Sequence, residues 1–383
     1  MKGVSEIGRY GRAVVEDLRE GARLLDRTLT GFWRELADIG SRPAQSRMGT
    51  VAAVSVMLTT TVALVMQLDA PWWAAISGYM SLMSTGAASV RRGLLRLSGT
   101  IAGAVLGFVM ARWLPYDQVA LCLFLGCATM AGVIAVQVSP HGLAWLFMSI
   151  TSSLVLLMSL NDPTQAFEIA CYRTLDVAVG VSCAMVTAKL LQEWHAEPPA
   201  TAPGWRHLLG AQWPSVLHGF RAAISVVTVM IVWVMIDLPD VGEMAVTIAV
   251  VMAAPLIADG GTTTRHLVAE KSFHRFMGCL LGGLVALACL ALQVESFFWW
   301  LAMIGGVVWV GMHIQMGRHG IPYVGTQFAF VFVVTMVQGL APPDSIMPGV
   351  DRFAGITGGL GILMIVSLLL WPSDQELAKE LRT

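Results

Sequence analysis

The sequence predicts an all-α integral membrane protein with about twelve transmembrane helices, arranged as two parallel six-helix repeats. Three observations predict this fold. First, 56% of the 383 residues are hydrophobic and 13% are charged, whereas soluble domains average roughly 45–50% and about 25%. Second, apolar runs of bilayer-spanning length recur along the chain. Third, the motifs beginning at Arg96 and Arg173 both return in the second half of the chain at one shared offset, at Arg275 and Arg352.

The first 47 residues precede the first apolar run and contain nine Lys/Arg and seven Asp/Glu. Apolar residues recur among them at helical spacing, which predicts a cytoplasmic amphipathic segment over 1–47 rather than a cleavable leader. Two placements are open for this segment. It lies flat on the lipid headgroups, or it packs against the inner face of the protein itself.

Two sets of six apolar runs follow, because a bilayer core of about 30 Å requires roughly 20 apolar residues of helix. The first membrane repeat is 48–191, the second is 217–372, and a polar, Pro-containing cytoplasmic linker, 192–216, separates them. Residues 373–383 form a cytoplasmic tail. The spans are predicted near 48–68, 71–90, 94–114, 118–138, 142–160 and 168–191, then 217–237, 241–258, 274–293, 296–316, 322–341 and 350–371.

The basic residues are distributed unevenly across these spans. With a cytoplasmic N-terminus, 21 of the 24 Lys/Arg lie on the inner side, and only Arg112, Arg173 and Arg352 lie on the outer side. This distribution follows the positive-inside rule and predicts that both termini are cytoplasmic. An even number of spans per repeat gives both repeats the same polarity, so a pseudo-two-fold axis should run along the membrane normal.

Four arginines are the candidates for an anion pathway along that axis. The predicted spans place Arg96 and Arg275 at the inner mouths of helices, and Arg173 and Arg352 in first turns on the outer side. An arginine at the centre of a transmembrane helix costs about 2.5–3.5 kcal/mol. One hypothesis is a positive ring at each membrane face that selects a carboxylate. The alternative is that Arg96 and Arg275 only determine the membrane orientation and extend to the interface, and that Arg173 and Arg352 form local ion pairs.

Four titratable residues are candidates for proton coupling: Glu243, Asp176, Glu168 and His313. Ionisable groups inside a membrane are functional candidates by default, and histidine titrates near neutral pH. The alternative for each of the four is an interfacial or ion-paired group.

Glycines recur four residues apart within two of the runs, at Gly99 and Gly103 and again at Gly278 and Gly282. Small residues at this spacing predict close helix packing. The six cysteines show neither disulfide nor metal-ligand spacing, and the sequence contains no nucleotide-binding or hydrolase motif. We therefore assign no catalytic residue, metal or cofactor, and no nucleic-acid partner.

Two motifs in the first repeat resemble the fusaric acid resistance and aromatic acid exporter family. These are Trp72-Trp73-Ala-Ala-Ile-Ser-Gly and Arg91-Arg92-Gly-Leu-Leu-Arg96-Leu-Ser-Gly99-Thr100-Ile-Ala-Gly103. The resemblance covers about 48–372. It is weaker in the second repeat, where Cys279 replaces the threonine, and the linker is much shorter than the cytoplasmic domain of the larger exporters.

The resemblance implies efflux of aromatic or other small organic carboxylates across a bacterial inner (plasma) membrane, driven by the proton motive force. Some members of the family work with a periplasmic adaptor protein. Trp72 and Trp73 would either stack on an aromatic substrate or anchor the membrane interface. The superfamily also includes plant malate channels built from paired six-span halves, so a passive organic-anion channel is an alternative. The resemblance is compatible with a monomer or a homodimer. A non-transporting scaffold of the envelope is a third possibility.

Overall fold

The backbone of the computed structural model is helical along most of its described length, without a β-strand in that part of the chain. The first 20 residues and the predicted tail lie outside the described residues. The structure describes residues 21–195, 202, 204–210, 213–236, 240–254, 256, 264–339, 343 and 345–370.

We number the helices α1 to α13 in chain order. Short 3₁₀ turns precede α5, α7 and α8. The helices are α1 (21–37), α2 (Pro43–Val65), α3 (Pro71–Met80), α4 (Gly86–Met110), α5 (Gln118–Val138), α6 (Gly142–Met158), α7 (Ala166–Leu191), α8 (Trp213–Ile236), α9 (Val241–Met252), α10 (Thr264–Ala291), α11 (Phe297–Gln315), α12 (Pro322–Met336) and α13 (Met347–Leu370).

Eight helices within the described residues are long and apolar enough to cross a membrane, judged by length and composition: α2, α4, α5, α7, α8, α10, α11 and α13. The remaining four predicted runs contain shorter helices, with 10 residues in α3, 17 in α6, 12 in α9 and 15 in α12. A helix of ten residues is about 15 Å long, which is half of a bilayer core. The chain is therefore a multi-helix membrane protein, and twelve full-length spans are not confirmed.

Helices α4 and α10 begin earlier than the apolar pattern predicts. Helix α4 begins at Gly86 because the Thr85 side chain accepts a hydrogen bond from the Ala88 N–H at 3.2 Å, which is an N-cap. Helix α10 begins at Thr264, ten residues before the predicted span. The interpretation that their arginines lie at helix mouths is therefore wrong, since both arginines lie about three turns inside.

The helix contacts of the first half recur in the second half. Helix α4 packs on α6 and α7, and α10 packs on α12 and α13. The short helix α3 packs on α2 and α7, and the short helix α9 packs on α8 and α13. Between the halves, α5 packs on α8 and α11 packs on α2. Each short helix therefore lies beside the helix that carries the later arginine of its own half.

The spaced glycines lie where α4 meets α6 and where α10 meets α12. A Cβ at Gly103 would lie 2.5 Å from a carbonyl oxygen of α6, and a Cβ at Gly278 would lie 2.6 Å from one of α12. Gly99 and Gly282 face carbonyl groups of the same two helices. Such distances leave no room for a side chain, so these glycines permit the close approach.

The described part of the N-terminal segment packs on the protein. Phe32 of α1 is buried, with its ring centroid 6.1 Å from that of Phe328. Glu35 is also buried and accepts hydrogen bonds from the backbone N–H groups of Arg318 (2.6 Å) and His319 (2.9 Å). Of the two placements open to this segment, its described residues adopt the one against the protein, at the turn between α11 and α12.

Candidate functional site

One buried carboxylate joins the two arginines of the second half. Arg275 of α10 donates from Nη2 to Glu243 Oε1 at 2.8 Å, and Arg352 Nη2 lies 2.9 Å from Glu243 Oε2. All three side chains are buried. Arg275 and Arg352 therefore do not lie at opposite membrane faces, as the sequence predicted. The reason is the early start of α10, which carries Arg275 deep into the helix bundle.

The remaining donors of Arg275 also have partners. Thr247 Oγ1 on α9 accepts from Nε at 3.2 Å and from Nη2 at 3.1 Å. On α12, the hydroxyl of Tyr323 accepts from Nη1 at 3.2 Å and Gln327 Oε1 accepts at 3.1 Å. A buried ion pair is tolerated when such additional hydrogen bonds satisfy its polar atoms. The second half therefore holds Arg275 in a satisfied polar environment.

The two arginines of the first half contact aromatic rings instead. Arg96 donates from Nη2 to Ser77 Oγ at 3.1 Å, and its guanidinium carbon lies 4.2 Å from the ring centroid of Phe147. The guanidinium carbon of Arg173 lies 4.2 Å from the ring centroid of Trp73. Both are cation–π contacts, which attract a cation without neutralising its charge.

Neither Arg96 nor Arg173 forms an ion pair with a carboxylate among the described residues. Arg96 Nε and Arg173 Nη1 are buried without a hydrogen-bond partner in that part of the chain, as are Nε and Nη2 of Arg352 in the second half. The neighbouring carboxylate is Asp176, three positions along α7, and both of its buried oxygens also lack a described hydrogen-bond partner. Among the described residues, the four guanidinium groups thus have one carboxylate at ion-pair distance, Glu243, while Asp176, Asp69 and Asp240 interact with Arg173 over longer distances.

The partners of these arginines on α3 and α9 occupy equivalent positions. Ser77 corresponds to Thr247 and Trp73 to Glu243 at an offset of 170 residues, which is shorter than the 179 residues that separate the paired arginines. Each half therefore retains a hydroxyl for its earlier arginine. At the position where the second half has a carboxylate, the first half has an indole ring.

Two tryptophans connect the later arginines of the two halves. Trp72 and Trp73 stack with ring centroids 4.5 Å apart and an interplanar angle of 29°. Trp73 faces Arg173, while Trp72 lies 5.2 Å from the guanidinium carbon of Arg352. On α12, the ring centroid of Phe330 lies 4.4 Å from the guanidinium carbon of Arg352. The stacked indoles thus lie between a cation of α7 and a cation of α13.

Two of the predicted proton-coupling residues do not join this cluster. Glu168 is exposed in the first turn of α7. His313 is buried in α11, where its ring stacks on Trp309 with a centroid distance of 5.5 Å. Neither forms a described hydrogen bond or ion pair with the four arginines. Glu243 does, and Asp176, three positions after Arg173, interacts with it electrostatically.

Two further cations bind the ends of the short helices, and the sequence analysis did not single them out. Arg92 Nε donates to the carbonyl oxygen of Met80 at 2.7 Å, near the end of α3. Lys271 Nζ donates to the carbonyl oxygen of Val250 at 2.6 Å, near the end of α9. Cations at helix C-termini satisfy free carbonyl groups and the helix dipole. A signal existed, since each cation lies four residues before an arginine that the repeat identified.

Residues 50–207 match the family model described as the fusaric acid resistance protein family. The matched segment runs from α2 through α7 and includes both arginines and both tryptophans of the first half. The match supports the family that the sequence motifs indicate, which is a family of membrane transporters rather than enzymes. No curated protein and no solved structure matches the chain.

Proposed function

We propose that this protein exports aromatic or other small organic carboxylates across a bacterial inner membrane, using the proton motive force. The observation that carries this proposal is the arginine cluster, defined as the buried residues Arg96, Arg173, Arg275 and Arg352, in which only Arg275 and Arg352 lie at ion-pair distance from a described carboxylate. An unpaired buried charge is costly. A carboxylate that enters the cluster offsets this cost, so the site favours an organic anion over a cation or a neutral solute.

The repeated architecture supports a transport path through the cluster. In the proposed topology, the six helices of each half form parallel repeats around an axis along the membrane normal, with both termini cytoplasmic. The recurrence of helix contacts between the halves supports this arrangement. The short helices α3 and α9 end within the bundle, and interrupted helices at membrane depth are tolerated where protein or a water-filled cavity surrounds them.

Proton coupling is assigned to the carboxylates inside the cluster. Asp176 is the better candidate, because its buried carboxylate has no described hydrogen-bond partner and lies beside Arg173. Glu243 is held by two arginines, so its protonation would break two ion pairs. Glu168 and His313 have no such link to the cluster and remain weaker candidates.

A passive organic-anion channel is the second candidate function, since buried arginines without an ion pair suit conduction as well as binding. A scaffold without transport does not require such arginines, and is therefore the weakest of the three. The active unit is proposed as a monomer or homodimer, with a periplasmic adaptor protein as a further partner.

Flux of benzoate in proteoliposomes under imposed pH and voltage gradients tests the proposal. We expect proton-driven accumulation of benzoate against its gradient, and an about tenfold or greater loss of flux in Arg173→Gln. Arg112→Gln is the matched control, because Arg112 is exposed. Flux that only dissipates the benzoate gradient would identify a channel. Absence of flux for benzoate and for aliphatic carboxylates would refute both transport functions.

A further inference from the structure

Helix α1 presents an apolar face that the other described residues leave uncovered. We infer that this face and the arginines beside it bind the inner leaflet of the bilayer, with the apolar side chains among the acyl chains and the arginines on anionic headgroups, while α1 stays packed against the protein. We call these residues the α1 surface: Leu25, Leu29, Trp33, Arg23, Arg27 and Arg34. The α1 surface is separate from the arginine cluster.

Helical periodicity divides α1 into three sectors, since successive residues are about 100° apart around the helix axis. One sector contains Thr28, Phe32 and Glu35, which are all buried. The sector beside it is apolar and open, with Leu25 41% exposed and Trp33 66% exposed. The three arginines occupy the third sector and are exposed. A helix with apolar residues on one side and arginines on another is typical of a helix that lies at a membrane surface.

The contacts of the buried sector place α1 beside the apolar helices rather than beyond their ends. Phe32 shares a buried apolar cluster with Ile314 of α11 and Phe328 of α12. Because α12 begins at Pro322, Phe328 lies about 9 Å along that helix. In the proposed topology the turn between α11 and α12 is cytoplasmic, so this depth corresponds to the inner boundary of the bilayer. The open apolar sector next to Phe32 therefore faces lipid.

The rotation of α1 about its own axis is fixed by contacts with the turn between α11 and α12. Glu35 accepts hydrogen bonds from the backbone N–H groups of Arg318 and His319. Gly31 lies so close to this turn that a Cβ would be 3.2 Å from the carbonyl oxygen of His319. A rotation that buried Trp33 against the protein would break these contacts. The apolar sector is therefore held open for a partner outside the described part of the chain.

The charges of the α1 surface indicate which lipids it binds. Arg23, Arg27 and Arg34 form no ion pair with a carboxylate among the described residues. Three arginines against one exposed aspartate of the helix, Asp26, leave two net positive charges. Basic residues beside a membrane are attracted to anionic lipids, and tryptophan is enriched at the level of the headgroups. The α1 surface therefore fits a bilayer that contains anionic phospholipids better than a neutral one.

Paramagnetic broadening in nanodiscs that hold one copy of the full chain shows what Trp33 faces. The chain is labelled with fluorotryptophan, and the Trp33→Phe variant identifies the Trp33 resonance by fluorine NMR. We expect lipids with a doxyl group near the headgroup to broaden this resonance beyond detection and to leave that of the buried Trp300 sharp. Broadening only by a water-soluble gadolinium chelate would place Trp33 in water and overturn the inference. Protection from both reagents would mean that another segment of the chain covers Trp33, and would overturn it as well.

Hydrogen exchange in α1 tests the preference for anionic lipid. In nanodiscs that contain phosphatidylglycerol, the α1 amides should exchange about fivefold or more slowly than in phosphatidylcholine alone, because opening α1 removes its arginines from an anionic surface. The triple variant Arg23→Gln, Arg27→Gln, Arg34→Gln should lose this difference. Arg112→Gln, which neutralises an exposed arginine after α4, should keep it. Equal exchange in the two lipids, or an unchanged difference in the triple variant, would refute the binding of anionic lipid. Neither experiment measures flux, so both outcomes are independent of the proposed transport function.

Discussion

Neutralising Glu243 is the most informative single perturbation of this protein. The substitution Glu243→Gln keeps the side-chain shape and one carbonyl oxygen, but it removes the only charge that the described residues place against Arg275 and Arg352 at ion-pair distance. Two buried guanidinium groups then lose their counter-charge together. We therefore expect a loss of stability with little change in packing volume.

The magnitude follows from burial. Glu243 is only 4% exposed, so water does not replace the lost interaction. Breaking a buried ion pair by removing one partner costs about 3–5 kcal/mol. Because the glutamine oxygen can still accept from one arginine, we expect a value near the lower end, about 3 kcal/mol.

Equilibrium unfolding in mixed micelles, followed by tryptophan fluorescence, measures this loss. Glu168→Gln is the matched control, because it makes the same chemical change at an exposed residue in the first turn of α7. The control should change the free energy of unfolding by about 0.5 kcal/mol or less. If both variants unfold within that margin of each other, the ion pairs of Glu243 add no stability and the structural role assigned to it is wrong.

Two further predictions concern packing and docking. Gly278→Ala should destabilise the protein by about 1–3 kcal/mol, because the added Cβ would overlap α12. Gly306→Ala should stabilise the protein by about 0.5–1 kcal/mol, because no atom lies near the added Cβ. Equal unfolding midpoints of the two variants would contradict this prediction. Glu35→Ala removes the acceptor for two backbone N–H groups and should therefore speed hydrogen exchange in α1. Asp26→Ala, at an exposed residue of the same helix, should leave the exchange rate unchanged. Unchanged exchange in Glu35→Ala would mean that other contacts hold α1.

Much of the architecture was predictable because it depends on local composition. Each of the twelve predicted runs contains a helix, since an apolar stretch in lipid must satisfy its backbone hydrogen bonds within itself. Their ends were less predictable. Helix α3 stops at Met80 and α4 begins at Gly86, where Thr85 offers a cap that the apolar pattern does not register. The extra residues of α4 and α10 then moved Arg96 and Arg275 from the expected helix mouths into the bundle.

The candidate site was predictable only in part. The internal repeat identified all four arginines, because a charge retained at two equivalent positions of an apolar helix is visible in the sequence alone. Their partners were not visible. Ser77, Thr247 and Gln327 are ordinary polar residues by type, and only their approach to a guanidinium group distinguishes them.

The sequence by itself determined that this chain forms apolar helices in two related sets, each with two arginines, because composition and spacing set those features residue by residue. Only the tertiary structure decided which arginines are neutralised. Glu243 meets Arg275 and Arg352 because α9 packs beside α10, the next helix, and beside α13, which lies much farther along the chain. The pairing of buried charges depends on such tertiary contacts, so the unequal ion pairing of two similar halves became apparent only in the folded protein.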